Sequence, residues 1–167
     1  KIMRFLVISL INTFLFSTSL KIGELVPKFE LYDQNNRIHK LEDYRGKKLV
    51  IYFFPKAETP GWIKQACGFR DEFQSFENSQ IEILGISFDS KKALKKFKEK
   101  YNLPFNFLSD INKKVGSAYG ANKYYFFASR MTFLIDEEGF LVHVFDDVNL
   151  YSHARDILKF FGQMIKE

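Results

Sequence analysis

The sequence predicts one α/β domain in which a mixed β-sheet is covered by helices on both faces. Two long apolar segments have the composition of buried strands, and each is followed by an amphipathic segment with helical spacing. A hairpin and a closing amphipathic helix follow them in the chain. With 167 residues, of which 46% are apolar and 27% charged, the chain has the size and composition of one globular domain.

The first half of the domain is predicted to contain a hairpin, two buried strands and a helix. Two short strands flank the turn Gln34-Asn35-Asn36. Residues 47–55 (KKLVIYFFP) and 81–89 (IEILGISFD) are almost continuously apolar, as is typical of strands covered on both faces. Between them, residues 59–76 carry apolar side chains at steps of three and four, which predicts one helix.

The second half is predicted from capping and turn residues. We expect a lysine-rich helix capped by Ser90 and stopped at 102–104, followed by a short strand or edge segment over 105–110. After these come a short helix closed by Gly120, a hairpin over 131–145 that turns at 136–139, and a last helix over 150–167. Right-handed crossovers make the two long strands parallel. This order corresponds to a thioredoxin-like layout.

The formal net charge of +5 does not by itself indicate a nucleic-acid partner. The densest basic run, 91–100 (KKALKKFKEK), keeps Ala93, Leu94 and Phe97 at helical spacing. Its lysines are therefore interpreted as the solvated face of a helix, with binding to an anionic surface as the alternative. We expect no nucleic-acid partner.

The N-terminal 19 residues have the three-part pattern of a secretory signal. Met3-Arg4 is followed by an apolar run over 5–16 and by a small-residue exit at 17–19. We expect cleavage after Ser19, a domain over 20–167, export to the periplasm or secretory pathway, and no stable membrane insertion afterwards. An uncleaved anchor, an organelle presequence and a cytoplasmic protein with a misjudged start are the alternatives.

Seven ordered segments together resemble one known family. They are KIGELVPKFEL, LEDYRGKKLVIYFFPKAETPG, ACGFRDEF, LGISFDS, KEKYNLPFNFLSD, AYG and SRMTFLIDEEG. From residue 20 onward the chain resembles a peroxiredoxin of the bacterioferritin-comigratory, or Q, type. The resemblance implies a thioredoxin-like fold and reduction of hydroperoxides at the expense of thioredoxin or a similar thiol donor. We expect no cofactor and no metal.

The resemblance also implies which residues form the site. The family pattern Pro-x-x-x-Thr-x-x-Cys, with a distant Arg, matches Pro55, Thr59 and Arg130 in this chain. At the final position of the pattern stands Trp62 instead of the peroxidatic cysteine. Cys67, the only cysteine of the chain, matches the resolving cysteine that follows five positions later in some members.

The chemistry of the site explains why the missing cysteine matters. A thiolate attacks the peroxide, and a helix N-terminus and a guanidinium stabilise that anion. A threonine hydroxyl aligns the peroxide oxygens and a proline shields the pocket. Trp62 has no nucleophilic atom, because its indole offers only an N–H donor. The expected activity is therefore weak or absent.

Cys67 is not positioned to replace the lost nucleophile on a regular helix. Five residues advance the chain by about 7.5 Å and rotate it by about 140°, so the thiol faces another direction. It is interpreted either as a small buried filler beside Ala66 and Phe69 or as a thiol with a slow exchange role. Trp62 is interpreted either as a plug of the vacated pocket or as an aromatic platform for a ligand.

The remaining candidate features give weaker hypotheses. His39, His143 and His153 lack the spacing of metal ligands. The aromatic loop, residues 122–130 (NKYYFFASR), is interpreted as a packed cover or as a partner-binding surface centred on Tyr124 to Phe127. The alternative function is a non-catalytic binding or chaperone-like module, and we expect a monomer or homodimer.

Overall fold

Within the described residues, the sheet has seven strands and mixes parallel with antiparallel pairing. The structure is a computed structural model that describes residues 20–124 and 126–164, so the predicted signal segment lies outside the described residues. In chain order the strands are β1 (Glu30–Asp33), β2 (Ile38–Lys40), β3 (Lys48–Phe53), β4 (Ile81–Ser87), β5 (Asn106–Ser109), β6 (Met131–Ile135) and β7 (Leu141–Phe145). Their order across the sheet is β2-β1-β5-β4-β3-β6-β7.

The centre of the sheet is built as the sequence predicts. The two long apolar strands β3 and β4 are parallel, with Val50 opposite Ile83, and β5 continues the parallel arrangement. The hairpin β6–β7 adds antiparallel to β3, and the hairpin β1–β2 adds antiparallel to β5. Both hairpin predictions are confirmed. Asn36 and Gly139 occupy the left-handed positions of their turns, at φ 65° and 89°.

Helices cover both faces of the sheet and create two separate apolar cores. They are α1 (Pro60–Asp71), α2 (Phe73–Asn78), α3 (Lys91–Lys100), α4 (Lys114–Ala118) and α5 (His153–Met164), with a 3-10 helix at Leu41–Tyr44. One core contains side chains of α1, α2, α3 and α5. The other contains side chains of α4 together with Val26 and Phe29, which precede β1. β3 supplies both cores because alternate residues point to opposite faces, Val50 and Tyr52 to the first and Ile51 and Phe53 to the second.

The single helix predicted over 59–76 is wrong in one respect. The backbone leaves the helical conformation at Glu72 (φ −98°, ψ 6°), which ends α1 and starts α2. Apolar periodicity continues through the break, because Phe69, Phe73 and Phe76 all contact the same core. Periodicity alone therefore could not locate the interruption. The predicted Ser90 cap is confirmed, since the Ala93 amide donates to the Ser90 hydroxyl at 3.3 Å.

None of the helices in the described part of the chain is long and apolar enough to cross a bilayer.

Candidate active site

The candidate site begins where β3 leaves the sheet and the chain turns into α1. Thr59 precedes the helix in an extended conformation (φ −84°, ψ 144°), and Pro60 occupies the first turn, where its missing N–H leaves no helical hydrogen bond unmade. Glu58 sits in the left-handed region (φ 67°), which turns the loop sharply. The Thr59 hydroxyl donates to the Lys56 carbonyl at 3.2 Å and does not cap the helix.

Trp62 lies on the first turn of α1 and is almost completely buried, with 1% of its surface exposed. Its ring centroid is 5.9 Å from that of Tyr52 and 4.9 Å from that of Phe54. These distances correspond to favourable aromatic pairs, so the indole fills the space between the helix start and β3. Its Nε1 donor has no hydrogen-bond partner in the described structure. The interpretation of Trp62 as a plug is thus the one that the structure supports, since a buried ring offers no platform.

Arg130 contacts the indole ring of Trp62. The chain enters β6 just after Arg130, and the guanidinium carbon is 5.1 Å from the centroid of the Trp62 ring, within the range of a cation–π contact. Among the described residues Arg130 makes no hydrogen bond and no ion pair. Gly61 makes the contact possible, because a Cβ at that position would lie 2.9 Å from an Arg130 Nη atom.

Pro55 joins Arg130 in an open surface depression, here called the Arg130 depression. It has a volume of about 460 Å³ and is lined by Pro55, Lys123, Tyr124, Phe127, Ala128, Ser129, Arg130, Met131 and Asp146. Arg130 therefore both contacts Trp62 and lines this depression. The structure brings together Trp62, Gly61 and Arg130, and it places Pro55 beside Arg130, whereas the Thr59 hydroxyl is directed to Lys56.

Cys67 lies on the same uninterrupted helix, one and a half turns beyond Trp62. The residue is half-buried and its thiol is free, in contrast to the fully buried Ala66 and Phe69 that flank it. The expectation of a buried filler is therefore only partly met. Burial, and to a lesser extent the nearby Cys67, raises the pKa of Tyr52 well above its ordinary value, so the phenol stays protonated.

A second group of buried polar side chains under α1 was missed by the sequence reasoning. His153 at the start of α5 is 3% exposed, and its Nε2 lies 2.9 Å from the Thr132 hydroxyl. Burial lowers the pKa of His153 to about 4, although Asp156 acts in the opposite direction, so the imidazole is neutral at neutral pH. Gln65 is also buried, and neither of its amide atoms has a protein partner in the described structure. The only sequence signal was the polar Gln65 on an otherwise apolar helix face.

The three histidines lie in separate parts of the fold. His39 contacts Asp33 and Tyr44 in the β1–β2 hairpin, His143 packs on Phe160, and His153 packs on Phe69. No cluster of three or more potential ligands was found in the part of the chain that the structure describes.

Comparison with known proteins decides the family. The model of the AhpC/TSA family matches residues 22–144. The chain belongs to the AhpC/TSA family. It is 38% identical over 151 residues to Peroxiredoxin Bcp of Escherichia coli strain K12, covering 86% of this chain and 97% of that protein. It is 39% identical over 153 residues to Peroxiredoxin Bcp of Bacillus subtilis strain 168, covering 87% and 98%.

A solved structure agrees with this assignment. The crystal structure of Peroxidoxin BcpB from Mycobacterium tuberculosis superimposes with a TM-score of 0.82 at 29% identity, covering 87% of this chain and 98% of that one. Within the AhpC/TSA family the chain is thus of the bacterioferritin-comigratory, or Q, type, as the seven segments predicted. The thioredoxin-like fold is confirmed by the same comparison.

Proposed function

We propose that this AhpC/TSA protein retains the peroxiredoxin scaffold and is weak or inactive as a peroxidase. The observation that supports this proposal most strongly is that Trp62 is buried on the first turn of α1, in contact with Arg130. The family pattern assigns this position to the peroxidatic cysteine. Relatives named peroxiredoxin support hydroperoxides as the family's substrate. In this chain an indole stands where the family pattern places the attacking sulfur.

The ordinary first step of the reaction needs an electron donor, and Trp62 at the cysteine position does not provide one. In the ordinary first step a thiolate attacks one peroxide oxygen, the O–O bond breaks, sulfur is oxidised to a sulfenic acid, and the other oxygen leaves as an alkoxide that takes up a proton. Arg130 could still stabilise the developing negative charge. Trp62 supplies no electron pair for the attack. The step therefore has no nucleophile at this place.

Cys67 is the alternative electron donor, and its geometry opposes that role. Trp62 and Cys67 share α1 without interruption, so the thiol is separated from the Arg130 contact by about 7.5 Å of helix rise and about 140° of rotation. Bringing Cys67 to Arg130 would require the first turn and a half of α1 to unwind. Any residual redox activity of the chain would depend on this half-buried thiol, with a thioredoxin-like protein as the reductant.

A peroxide-consumption assay with a thioredoxin system tests the proposal on three proteins. The wild type is expected to be silent, and Trp62→Cys is expected to gain activity, because Pro55 and Arg130 remain beside the helix start. Wild-type turnover that disappears in Cys67→Ser would instead assign the chemistry to Cys67. Wild-type turnover at the rate of an ordinary relative, measured in parallel, would reject the proposal.

The predicted signal segment supports export as part of the proposal. Residues 1–19 lie outside the described residues, and their pattern is the basis for an exported domain that starts at residue 20. In that compartment the free Cys67 would meet exported thiol donors rather than cytoplasmic thioredoxin. Mass spectrometry of the mature protein tests this directly: an intact segment, or a cytoplasmic location, contradicts it.

A second candidate function is a non-catalytic binding module that uses the aromatic loop. Tyr124, Phe126 and Phe127 are 54%, 80% and 40% exposed, which is unusual for three large apolar side chains within four residues. The ring centroids of Tyr124 and Phe127 are 4.9 Å apart, so two of these side chains form one surface. This surface borders the Arg130 depression.

A further inference from the structure

Arg130 is a cation without an ion-pair partner among the residues that the structure describes. It is half-buried, lies within cation–π distance of the Trp62 ring, and makes no hydrogen bond or ion pair with any residue that the structure describes. A guanidinium carries five N–H donors in a planar fork and no acceptor, and it pairs best with a carboxylate or phosphate. The contact with the indole leaves the charge of the guanidinium unneutralised, so the guanidinium can still pair with such an anion.

The walls of the Arg130 depression are apolar on the side of the aromatic loop. Tyr124 and Phe127 are stacked at an interplanar angle of 28°, and Met131 and Pro55 line the same space. An apolar cavity of roughly 150 Å³ already holds benzene in an engineered protein. The volume of about 460 Å³ therefore admits an aromatic ring or a short alkyl chain together with a charged group.

The charges that line the depression, two positive and one negative, sum to +1, which matches a ligand with a single negative charge. Lys123 lines the depression together with Arg130, and Asp146 is the one acidic side chain among its lining residues. A second negative group on the ligand would meet the repulsion of Asp146, whereas a monoanion can pair with Arg130 and direct its body to the aromatic wall.

We propose that the Arg130 depression binds a small organic monocarboxylate with an aromatic or alkyl body, its carboxylate paired with the Arg130 guanidinium. This inference deepens the second candidate function and rests on it. Trp62 is essential to the arrangement, because it holds the guanidinium without neutralising it, whereas a thiolate at the same place would compete with the ligand for the cation.

Phenylacetate is a suitable probe, with phenylacetamide as a neutral ligand of the same shape. Trp62, the only tryptophan of the chain, contacts Arg130 and reports binding through its fluorescence, and calorimetry measures the affinity independently. We expect phenylacetate to bind with a dissociation constant of about 1 mM or lower, at least about fivefold more tightly than the amide.

Two variants and a control locate the site. Arg130→Gln is expected to weaken phenylacetate binding at least about tenfold, and Phe127→Ala several-fold. Arg155→Gln, which removes an exposed arginine on α5, is expected to leave the affinity unchanged, and circular dichroism verifies the fold of each variant. No binding of phenylacetate at millimolar concentration, equal binding of acid and amide, or equal losses in Arg130→Gln and Arg155→Gln would each overturn the proposal. Since no peroxide is present, these results do not depend on the peroxidase question.

Discussion

Truncating Trp62 should remove a substantial part of the stability of the domain. The indole is 1% exposed, packs on Tyr52 and Phe54, and supports Arg130. Truncating a buried Trp or Phe to Ala costs about 3–5 kcal/mol in general. Removing the unpartnered Nε1 donor returns about 1 kcal/mol of that loss, because a buried donor without a partner is itself destabilising. We therefore expect Trp62→Ala to lower the free energy of unfolding by about 3 kcal/mol.

Trp62→Phe is the matched variant for this experiment. It keeps a ring against Tyr52 and Phe54 and deletes the unpartnered donor, so the expected loss is about 1 kcal/mol or less. Phe126→Ala, at an 80% exposed side chain, should change stability by no more than about 0.5 kcal/mol.

Urea unfolding followed by far-ultraviolet circular dichroism measures all three variants, since two of them lack the tryptophan signal. A loss below about 1 kcal/mol in Trp62→Ala would refute the packing argument. An equal loss in the Phe and Ala variants would refute the argument that a ring at position 62 stabilises the fold by packing on Tyr52 and Phe54.

Three further predictions concern other parts of the site. The pKa of His153 is lowered to about 4 from its ordinary value of 6.5, so the buried neutral imidazole contributes its full stability above pH 6.5. Between pH 6.5 and 4 the free energy of unfolding should therefore fall by up to about 3 kcal/mol. The fall should be smaller in His153→Asn, and identical pH profiles of the two proteins would contradict this prediction. Gly61→Ala should displace the flexible end of Arg130 and alter Trp62 fluorescence, while changing the free energy of unfolding by less than about 1 kcal/mol. An unchanged emission spectrum would argue against the contact between Arg130 and Trp62. Cys67 should react with a thiol reagent in the native protein more slowly than in urea, because it is half-buried; equal rates would show that α1 is open at this position.

Much of the fold could be predicted because its sequence patterns are local. The continuous apolar runs of β3 and β4, the Asn36 and Gly139 turns and the Ser90 cap each carry their own signal, and all are present in the structure. The break at Glu72 carried none, because the apolar spacing continues into α2.

The candidate site was less predictable because it depends on long-range contacts. The family pattern named Trp62 and Arg130, but the stacking of one on the other joins residues that are far apart in the chain. The same is true of the pairing of Thr132 with His153 and of the depression between Pro55 and the aromatic loop. Only the Thr59 hydroxyl is explained locally, through its bond to Lys56.

One measurement tests most directly the proposal that this chain lacks an activated peroxidatic thiolate. Purified wild-type protein is treated with hydrogen peroxide, sulfenic acid is trapped, and the product is measured by mass spectrometry. Cys67 is the only cysteine of the chain, and along α1 it is separated from Trp62 and its Arg130 contact by about 7.5 Å of helix rise and about 140° of rotation. We predict that Cys67 is oxidised no faster than a simple aliphatic thiol measured in the same buffer. Oxidation of Cys67 that is orders of magnitude faster would contradict the account.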